Sequence, residues 1–158
     1  MPTPPRLVLE TSLYAADLAA AEQFYGDVLG LDVVLRTEGN HVSFRCGAGV
    51  VHVFYPAASR DRESLPAHGA DDPVHVAFGV PTDQLAAWRR HFNRHDVAVE
   101  HTKQWDEGQR SLYVRDPAGN SVELVSSTLW STTSRAERLT RVRPVLDLDT
   151  TESRPVER

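Results

Sequence analysis

The stretch 9–31, LETSLYAADLAAAEQFYGDVLGL, decides the fold, because it reads as a strand that passes directly into a helix. Residues up to Tyr14 alternate between two faces, which is typical of a β-strand with one buried face. Asp17 is a good N-cap, and apolar residues then recur at helical spacing. Gly30 stands where the left-handed residue that ends a helix is expected. The stretch therefore predicts a β-α unit.

Three short strand candidates follow this helix, and the whole order repeats from residue 72 onward. The two predicted βαβββ units span 7–56 and 72–127, and the polar stretch 57–71 is interpreted as a linker. One unit alone cannot bury both faces of a strongly curved four-stranded sheet. The sequence therefore predicts an α+β fold with two tandem βαβββ units. They are expected to form a curved, cup-shaped mixed sheet with helices on the outside, as a single domain over 7–130.

The composition is that of an ordinary globular protein, with 41% hydrophobic and 25% charged residues among 158. A net charge of −5 and a pI near 5.8 give no electrostatic reason to expect a nucleic-acid partner. No apolar run approaches the roughly 20 residues that span a bilayer, and no signal peptide is recognised. The single Cys46 cannot form an internal disulfide, which fits a cytoplasmic location.

The two ends of the chain depart from the repeated pattern. Residues 1–6 are rich in proline and are predicted to be flexible. The tail 131–158 is polar and mixed in charge, so we expect it to be mobile or to lie across a partner subunit.

Four polar residues occupy matching positions in the two units. Glu10 and His75 lie in the first strands, and His52 and Glu123 lie in the last strands. Each is flanked by apolar residues, so strand alternation directs all four onto the concave face, away from the core. A carboxylate in a semi-enclosed site is costly unless it is compensated. Two imidazoles and two carboxylates together suit a divalent ion such as Zn, Ni, Co, Mn or Fe.

Each of these four residues, taken alone, also has an ordinary explanation. A single histidine on a strand is more often solvent-facing or hydrogen-bonded than a ligand, and Glu10 alone could be an exposed surface residue. The coincidence of residue type and position across the repeat is what favours the metal site. His52 is the weakest member of the set.

Further polar residues are predicted to lie near this site. Ser12 follows Glu10 by two residues and projects into the same concavity, and Tyr113 lies on the strand next to Glu123. The loop over the mouth could bind an anionic or aromatic substrate, although solvated loop residues are an equally good interpretation. The substrate-binding candidates there are Lys103, Trp105 and Arg110.

The segments 9–31, 72–81 and 111–124 together resemble the vicinal oxygen chelate superfamily. Its members include glyoxalase I, methylmalonyl-CoA epimerase, fosfomycin-resistance thiol transferases, extradiol dioxygenases and bleomycin-resistance proteins. The helix motif with FY and VLGL and the turn-strand RDPAGNSVEL carry the resemblance most specifically. It covers about residues 7–130, which is all of the chain except its ends.

The resemblance implies metal ligands at the positions of Glu10, His52, His75 and Glu123. Most members have His or Gln where this chain has Glu10, and four-ligand members have Glu or Gln where it has His52. The first departure argues against a standard extradiol dioxygenase. The bleomycin-binding members lack the metal ligands, which argues against that activity too. Tyr113 matches a tyrosine that lines the pocket of the fosfomycin-resistance members.

A divalent metal with open positions would bind two vicinal substrate oxygens and stabilise an enolate or oxyanion. Glu10 or Glu123 would move the proton at carbon, and Tyr113 is the third catalytic candidate. The first hypothesis is a metal-dependent lyase or isomerase of the glyoxalase type. The second is a resistance thiol transferase or an Fe(II) dioxygenase, and the third is a non-catalytic protein that sequesters a small molecule.

The expected partners are a small-molecule substrate and a second copy of the chain in a homodimer. Neither a nucleic acid nor a membrane is expected. The sequence leaves open whether the two units pair within one chain or swap between subunits.

Overall fold

The computed structural model describes residues 2–63, 65–105 and 108–130, and the tail that is predicted to be mobile, 131–158, lies outside the described residues. The described residues form two four-stranded mixed sheets, with strand orders β1-β4-β3-β2 and β5-β8-β7-β6. The predicted α+β fold with two tandem βαβββ units is confirmed. The strands of sheet one are β1 (Glu10–Tyr14), β2 (Val33–Thr37), β3 (His41–Cys46) and β4 (Gly49–Phe54). Those of sheet two are β5 (His75–Val80), β6 (His101–Gln104), β7 (Arg110–Arg115) and β8 (Ser121–Ser126).

Each unit has one principal helix. Helix α1 (Leu18–Glu22) continues without a break into a π-helical stretch, Gln23–Val28. The Asp17 side chain accepts a hydrogen bond from the Ala20 amide at 2.9 Å, as its N-cap position predicts. Helix α3 (Leu85–Arg94) follows a 3₁₀ turn, Thr82–Gln84. None of the helices in the described part of the chain is both long and apolar enough to cross a membrane.

A further short helix, α2 (Pro56–Arg60), begins at the stretch 57–71 that is predicted to be a linker. Its apolar spacing is too brief to produce a helical pattern, which is why the sequence does not predict it. Pro56 stands in its first turn, where the missing amide proton costs nothing. The segment after α2 returns to the surface of sheet one, so it does more than connect the units.

Strand alternation divides each sheet into an apolar face and a polar face. Helix α1 packs against β3 and β4, and α3 packs against β7 and β8. The apolar faces under these helices join in one hydrophobic cluster that includes residues of both units. Its most buried strand residues include Val51, Val53, Val122 and Leu124.

The first strand begins later than the sequence pattern predicts. The alternation suggests a strand from Leu7, but β1 starts at Glu10, and Leu9 is 64% exposed instead of buried. The reason is that β1 is an edge strand whose partner, β4, begins at Gly49. The Leu9 carbonyl still accepts a hydrogen bond from the Val50 amide at 3.0 Å, but the residues before it have no strand opposite them.

The turn between β7 and β8 joins the two units through buried hydrogen bonds. Asp116 accepts bonds from the Tyr25 hydroxyl and the Asn120 amide, both at 2.8 Å. The Asn120 side chain donates to the Tyr14 carbonyl at 3.1 Å and accepts from the Val74 amide at 3.0 Å. Burial, reinforced by the Asp116 charge, raises the pKa of Tyr25. We call these residues the interunit clasp, and their role is structural.

Candidate metal centre

On the polar face of sheet one, His52 and Glu10 lie in direct contact. The His52 Nε2 atom is 3.1 Å from Glu10 Oε2. On the other side of the ring, Nδ1 is hydrogen-bonded to the Ser43 hydroxyl at 2.7 Å. The His52 side chain is 17% exposed and that of Glu10 is 65% exposed. A buried serine thus holds the imidazole so that Nε2 faces an accessible carboxylate.

On the polar face of sheet two, His75 and Glu123 form the equivalent pair. The His75 Nε2 atom is 3.3 Å from Glu123 Oε2, and Nδ1 is 3.2 Å from the Ser121 hydroxyl. Here the histidine side chain is 50% exposed and the glutamate 9%. The imidazole again has Nδ1 beside a serine and Nε2 beside a carboxylate.

Tyr113 supports the buried carboxylate of the second pair. Its hydroxyl donates a hydrogen bond to Glu123 Oε1 at 3.0 Å. Burial and then the adjacent carboxylate raise the pKa of Tyr113, against a smaller lowering by Ser111. Tyr113 therefore remains a protonated donor, and it leaves Glu123 Oε2 as the oxygen that faces His75.

The donor chemistry of both pairs fits a divalent metal. A neutral imidazole nitrogen and a carboxylate oxygen are the ligands that first-row divalent ions take, and a hydrogen bond to the distal ring nitrogen commonly orients such histidines. However, a pair supplies only two donors, whereas zinc sites use three or four protein ligands. Among the described residues, no group of three or more His, Cys, Asp or Glu could hold a metal. Within one chain, the four predicted ligands therefore form two separate pairs.

The other residues predicted near the site divide between the two faces. Ser12 is the cross-strand neighbour of His52 on the polar face of sheet one. Lys103 and Trp105 lie on the polar face of sheet two, where the Lys103 ammonium is 5.5 Å from the Trp105 ring centroid and Trp105 Nε1 donates to the Ser111 hydroxyl at 2.8 Å. Arg110 points the other way, because alternation along β7 places it with Leu112 on the apolar side.

The two serines that orient the histidines are absent from the sequence prediction. Ser121 precedes Glu123 by two residues and so shares its face, which strand alternation alone could have shown. Ser43 stands opposite His52 across the β3–β4 hairpin, and the tight turn between the strands could have given that register.

The polar face of sheet one also carries aromatic side chains around Phe54, and the segment after α2 covers them. The Phe54 ring lies 5.6 Å from the His52 ring and 4.8 Å from the His68 ring. The Arg62 guanidinium lies over the same Phe54 ring, with Cζ 4.8 Å from its centroid. His41 stands opposite Phe54 on the neighbouring strand. Burial, and then the electrostatic effect of His52 and Arg62, lowers the pKa of His41. The polar face thus extends well beyond the predicted ligands.

The chain is similar to a known protein family and to solved structures. The family model of the Glyoxalase/Bleomycin resistance protein/Dioxygenase superfamily matches residues 7–124. The chain is similar to the crystal structure of a lactoylglutathione lyase from Agrobacterium tumefaciens, with 41% identity and a TM-score of 0.78. That alignment covers 82% of this chain and 99% of the other.

More distant structures share the fold alone. A glyoxalase/bleomycin resistance protein/dioxygenase from Nocardioides is 17% identical, with a TM-score of 0.64, over 79% of this chain and 85% of that one. A glyoxalase-related enzyme from Fulvimarina pelagi is 18% identical, with a TM-score of 0.62, over 77% of this chain and 88% of that one.

Proposed function

The chain belongs to the glyoxalase/bleomycin resistance protein/dioxygenase superfamily, and we propose that it is a metal-dependent lyase or isomerase of the glyoxalase type. The observation that carries this proposal is the matched construction of the two His–Glu pairs. In each, Nε2 faces a carboxylate while a serine hydroxyl holds Nδ1. The 41% identity to a structure named as a lactoylglutathione lyase supports lyase chemistry.

The proposed assembly is a homodimer in which the pairs complete each other. Glu10 and His52 of one subunit would hold the ion together with the partner subunit's His75 and the partner subunit's Glu123. Glu10 and His75, the exposed members, both lie on edge strands. The exposed apolar residues just before β1 add surface that a second copy would bury. They are Leu7, Val8 and Leu9.

A divalent ion held there would supply Lewis acidity at two neighbouring oxygens of a small substrate. The two glutamates then take different roles. Glu123 is fixed between His75 and the Tyr113 hydroxyl, so it serves as a ligand and Tyr113 as its positioning residue. Glu10 is exposed and contacts His52 through one oxygen, so its carboxylate can move. We assign Glu10 as the base that takes a proton from one substrate carbon and returns it to the next.

Metal analysis of protein purified without a histidine tag tests this function. We expect stoichiometric Ni, Co, Mn or Zn, and thiol-dependent turnover of an α-ketoaldehyde that a chelator abolishes and added metal restores. The matched control is His95→Ala, because this exposed histidine at the end of α3 lies away from both pairs and its loss should leave metal content unchanged.

Two results would contradict the proposal. Metal at trace level, with a melting temperature that a chelator does not change, would favour a sequestering protein. Bound iron with oxygen uptake would favour a dioxygenase.

A further inference from the structure

The polar face of sheet one carries a group of residues that the proposed metal chemistry does not use. Arg62 and His68 come from the segment after α2, and Tyr14 and Phe54 come from β1 and β4. Together we call these four residues the Arg62 wall. Phe54 connects the wall to the candidate metal ligands, since its ring lies 5.6 Å from that of His52.

The hydrogen bonds in the Arg62 wall have only one consistent direction. Arg62 Nη1 lies 3.4 Å from His68 Nε2, and a guanidinium can only donate. His68 Nε2 is therefore the acceptor, and the ring proton is on Nδ1, which donates to the Tyr14 hydroxyl oxygen at 2.9 Å. The Tyr14 proton is then not used by His68. The wall thus offers two kinds of donor, the guanidinium N–H groups and a phenol.

Arg62 differs from the other arginines of the described segments in being both partly buried and without an ion pair. Like several exposed arginines, Arg62 forms no ion pair with a carboxylate of the described residues, whereas Arg36, Arg60 and Arg115 each do. Arg62 is the one arginine in those segments that is half-buried, while the rest are exposed. A cation that has lost part of its hydration without gaining a counter-charge has a strong tendency to bind an anion.

The shape of the wall indicates which anion would fit. The guanidinium lies over the Phe54 ring, with Cζ 4.8 Å from the ring centroid, and Nη1 faces His68, so further N–H groups of the planar guanidinium remain for a ligand. A planar fork of donors matches a planar carboxylate, and a single guanidinium matches a single negative charge. A phosphate dianion would leave part of its charge uncompensated here.

We propose that the Arg62 wall binds a carboxylate group of the substrate. Arg62 supplies the charged contact, and Tyr14 supplies a weaker hydrogen bond to another substrate oxygen. This inference rests on the proposed function, because the bound compound is a substrate only if the chain is an enzyme. It narrows the class of substrate to compounds that carry a carboxylate. The substrate would carry a carboxylate apart from its reacting oxygens, because the Phe54 ring lies against both Arg62 and the ligand candidate His52.

The test uses the full chain without metal and a probe that needs no turnover. Benzoate is titrated against the wild type, with binding followed by NMR shifts of the His68 and Arg62 side chains. Benzamide, the neutral compound of the same shape, is titrated in parallel. Arg62→Gln should weaken benzoate binding by at least about tenfold, because a charge-assisted hydrogen bond is lost. Tyr14→Phe should weaken it by only about two- to threefold.

The matched control is Arg60→Gln, two residues away on the same segment. Arg60 pairs with Asp71 at 2.7 Å, so its loss should leave the benzoate Kd unchanged. Arg62→Lys keeps the charge but not the fork and should bind with intermediate affinity. Melting temperatures of all variants show whether each is folded.

The inference is overturned if benzoate binds Arg62→Gln as well as it binds the wild type, or if benzamide binds equally well. Absence of any benzoate-induced shift in the wild type also overturns it. Inorganic phosphate that binds more tightly than benzoate, with the same dependence on Arg62, would make the carboxylate assignment wrong. Because metal and turnover play no part here, failure of the proposed function would leave these results intact and separately interpretable.

Discussion

The polar faces of the two sheets carry the same two residue types with their positions exchanged. In sheet one, the exposed residue on the edge strand is Glu10 and the half-buried residue on the inner strand is His52. In sheet two, the exposed edge residue is His75 and the buried inner residue is Glu123. Burial therefore follows the position in the repeated unit, whereas chemistry follows the residue that occupies it. The position in the repeat therefore determines which ligand candidate is more enclosed and which is more exposed.

The surroundings of the pairs differ in the same sense. The buried carboxylate in sheet two has Tyr113 to fix one of its oxygens, and the exposed carboxylate in sheet one has no equivalent donor among the described residues. Sheet one instead carries the Arg62 wall beside its histidine. Under the proposed function, this difference corresponds to a division of labour, in which sheet two would hold the metal and sheet one would act on the substrate.

The two His–Glu pairs should differ most when each glutamate is neutralised in turn. In Glu123→Gln, the Tyr113 hydroxyl retains the amide oxygen, so the amide nitrogen faces His75 and cannot bind a metal. Metal affinity should fall by about a hundredfold or more. In Glu10→Gln, the exposed amide can rotate and present its oxygen. That variant should keep most of its metal and lose turnover instead, which isothermal titration and steady-state kinetics can measure.

Equal loss of metal from both glutamine variants would show that the two carboxylates are equivalent. Full metal content in Glu123→Gln would show that this residue is not a ligand. Far-ultraviolet circular dichroism on both variants confirms that the fold survives.

The interunit clasp is centred on Asp116 in the β7–β8 turn, so the second unit supplies its main hydrogen-bond acceptor. Asp116→Ala should lower the free energy of unfolding by about 3 kcal/mol, because several buried donors lose their acceptor. Tyr25→Phe removes only one of these bonds and should cost about 1 kcal/mol. Urea denaturation measures both values. The control is Glu38→Ala, at an exposed turn residue. If Asp116→Ala lowers the free energy of unfolding no more than this control does, the clasp does not stabilise the fold.

The smallest expected effect concerns the serines that orient the histidines. Ser43 is buried and lies 2.7 Å from His52, whereas Ser121 lies 3.2 Å from the more exposed His75. Ser43→Ala should weaken metal binding by about tenfold, and Ser121→Ala by only about two- to threefold. A metal titration of the two variants side by side tests the order. The reverse order would mean that burial of the hydrogen bond does not set its contribution.

Strand alternation was sufficient to predict the repeat and the face of each ligand candidate. Glu10, His52, His75 and Glu123 all lie on the polar faces, because alternation depends only on the nearest neighbours in sequence. The same rule gives the position of Arg110. Arg110 was predicted to be near the site as a loop residue, but it is the first residue of β7, where register directs it to the opposite face.

Features that depend on distant parts of the chain could not be predicted in this way. Alternation gives the face of a residue but not which sheet meets which, so it could not show that the four ligand candidates separate into two pairs. The contact of Arg62 and His68 with Phe54 depends on how a polar segment folds back, and that segment has no periodic pattern. The late start of β1 depends on where its partner strand begins.

Complementation between two variants that each lack one His–Glu pair tests most directly whether the pairs meet across subunits. One variant carries Glu10→Ala and His52→Ala, and the other carries His75→Ala and Glu123→Ala. The two are unfolded together, refolded as a mixture and assayed for tightly bound metal. If each site takes one pair from each subunit, the mixed dimer has one complete site, and the mixture regains metal that neither variant holds alone. If the mixture binds no more metal than the separate variants, the claim that the two pairs meet across subunits is contradicted.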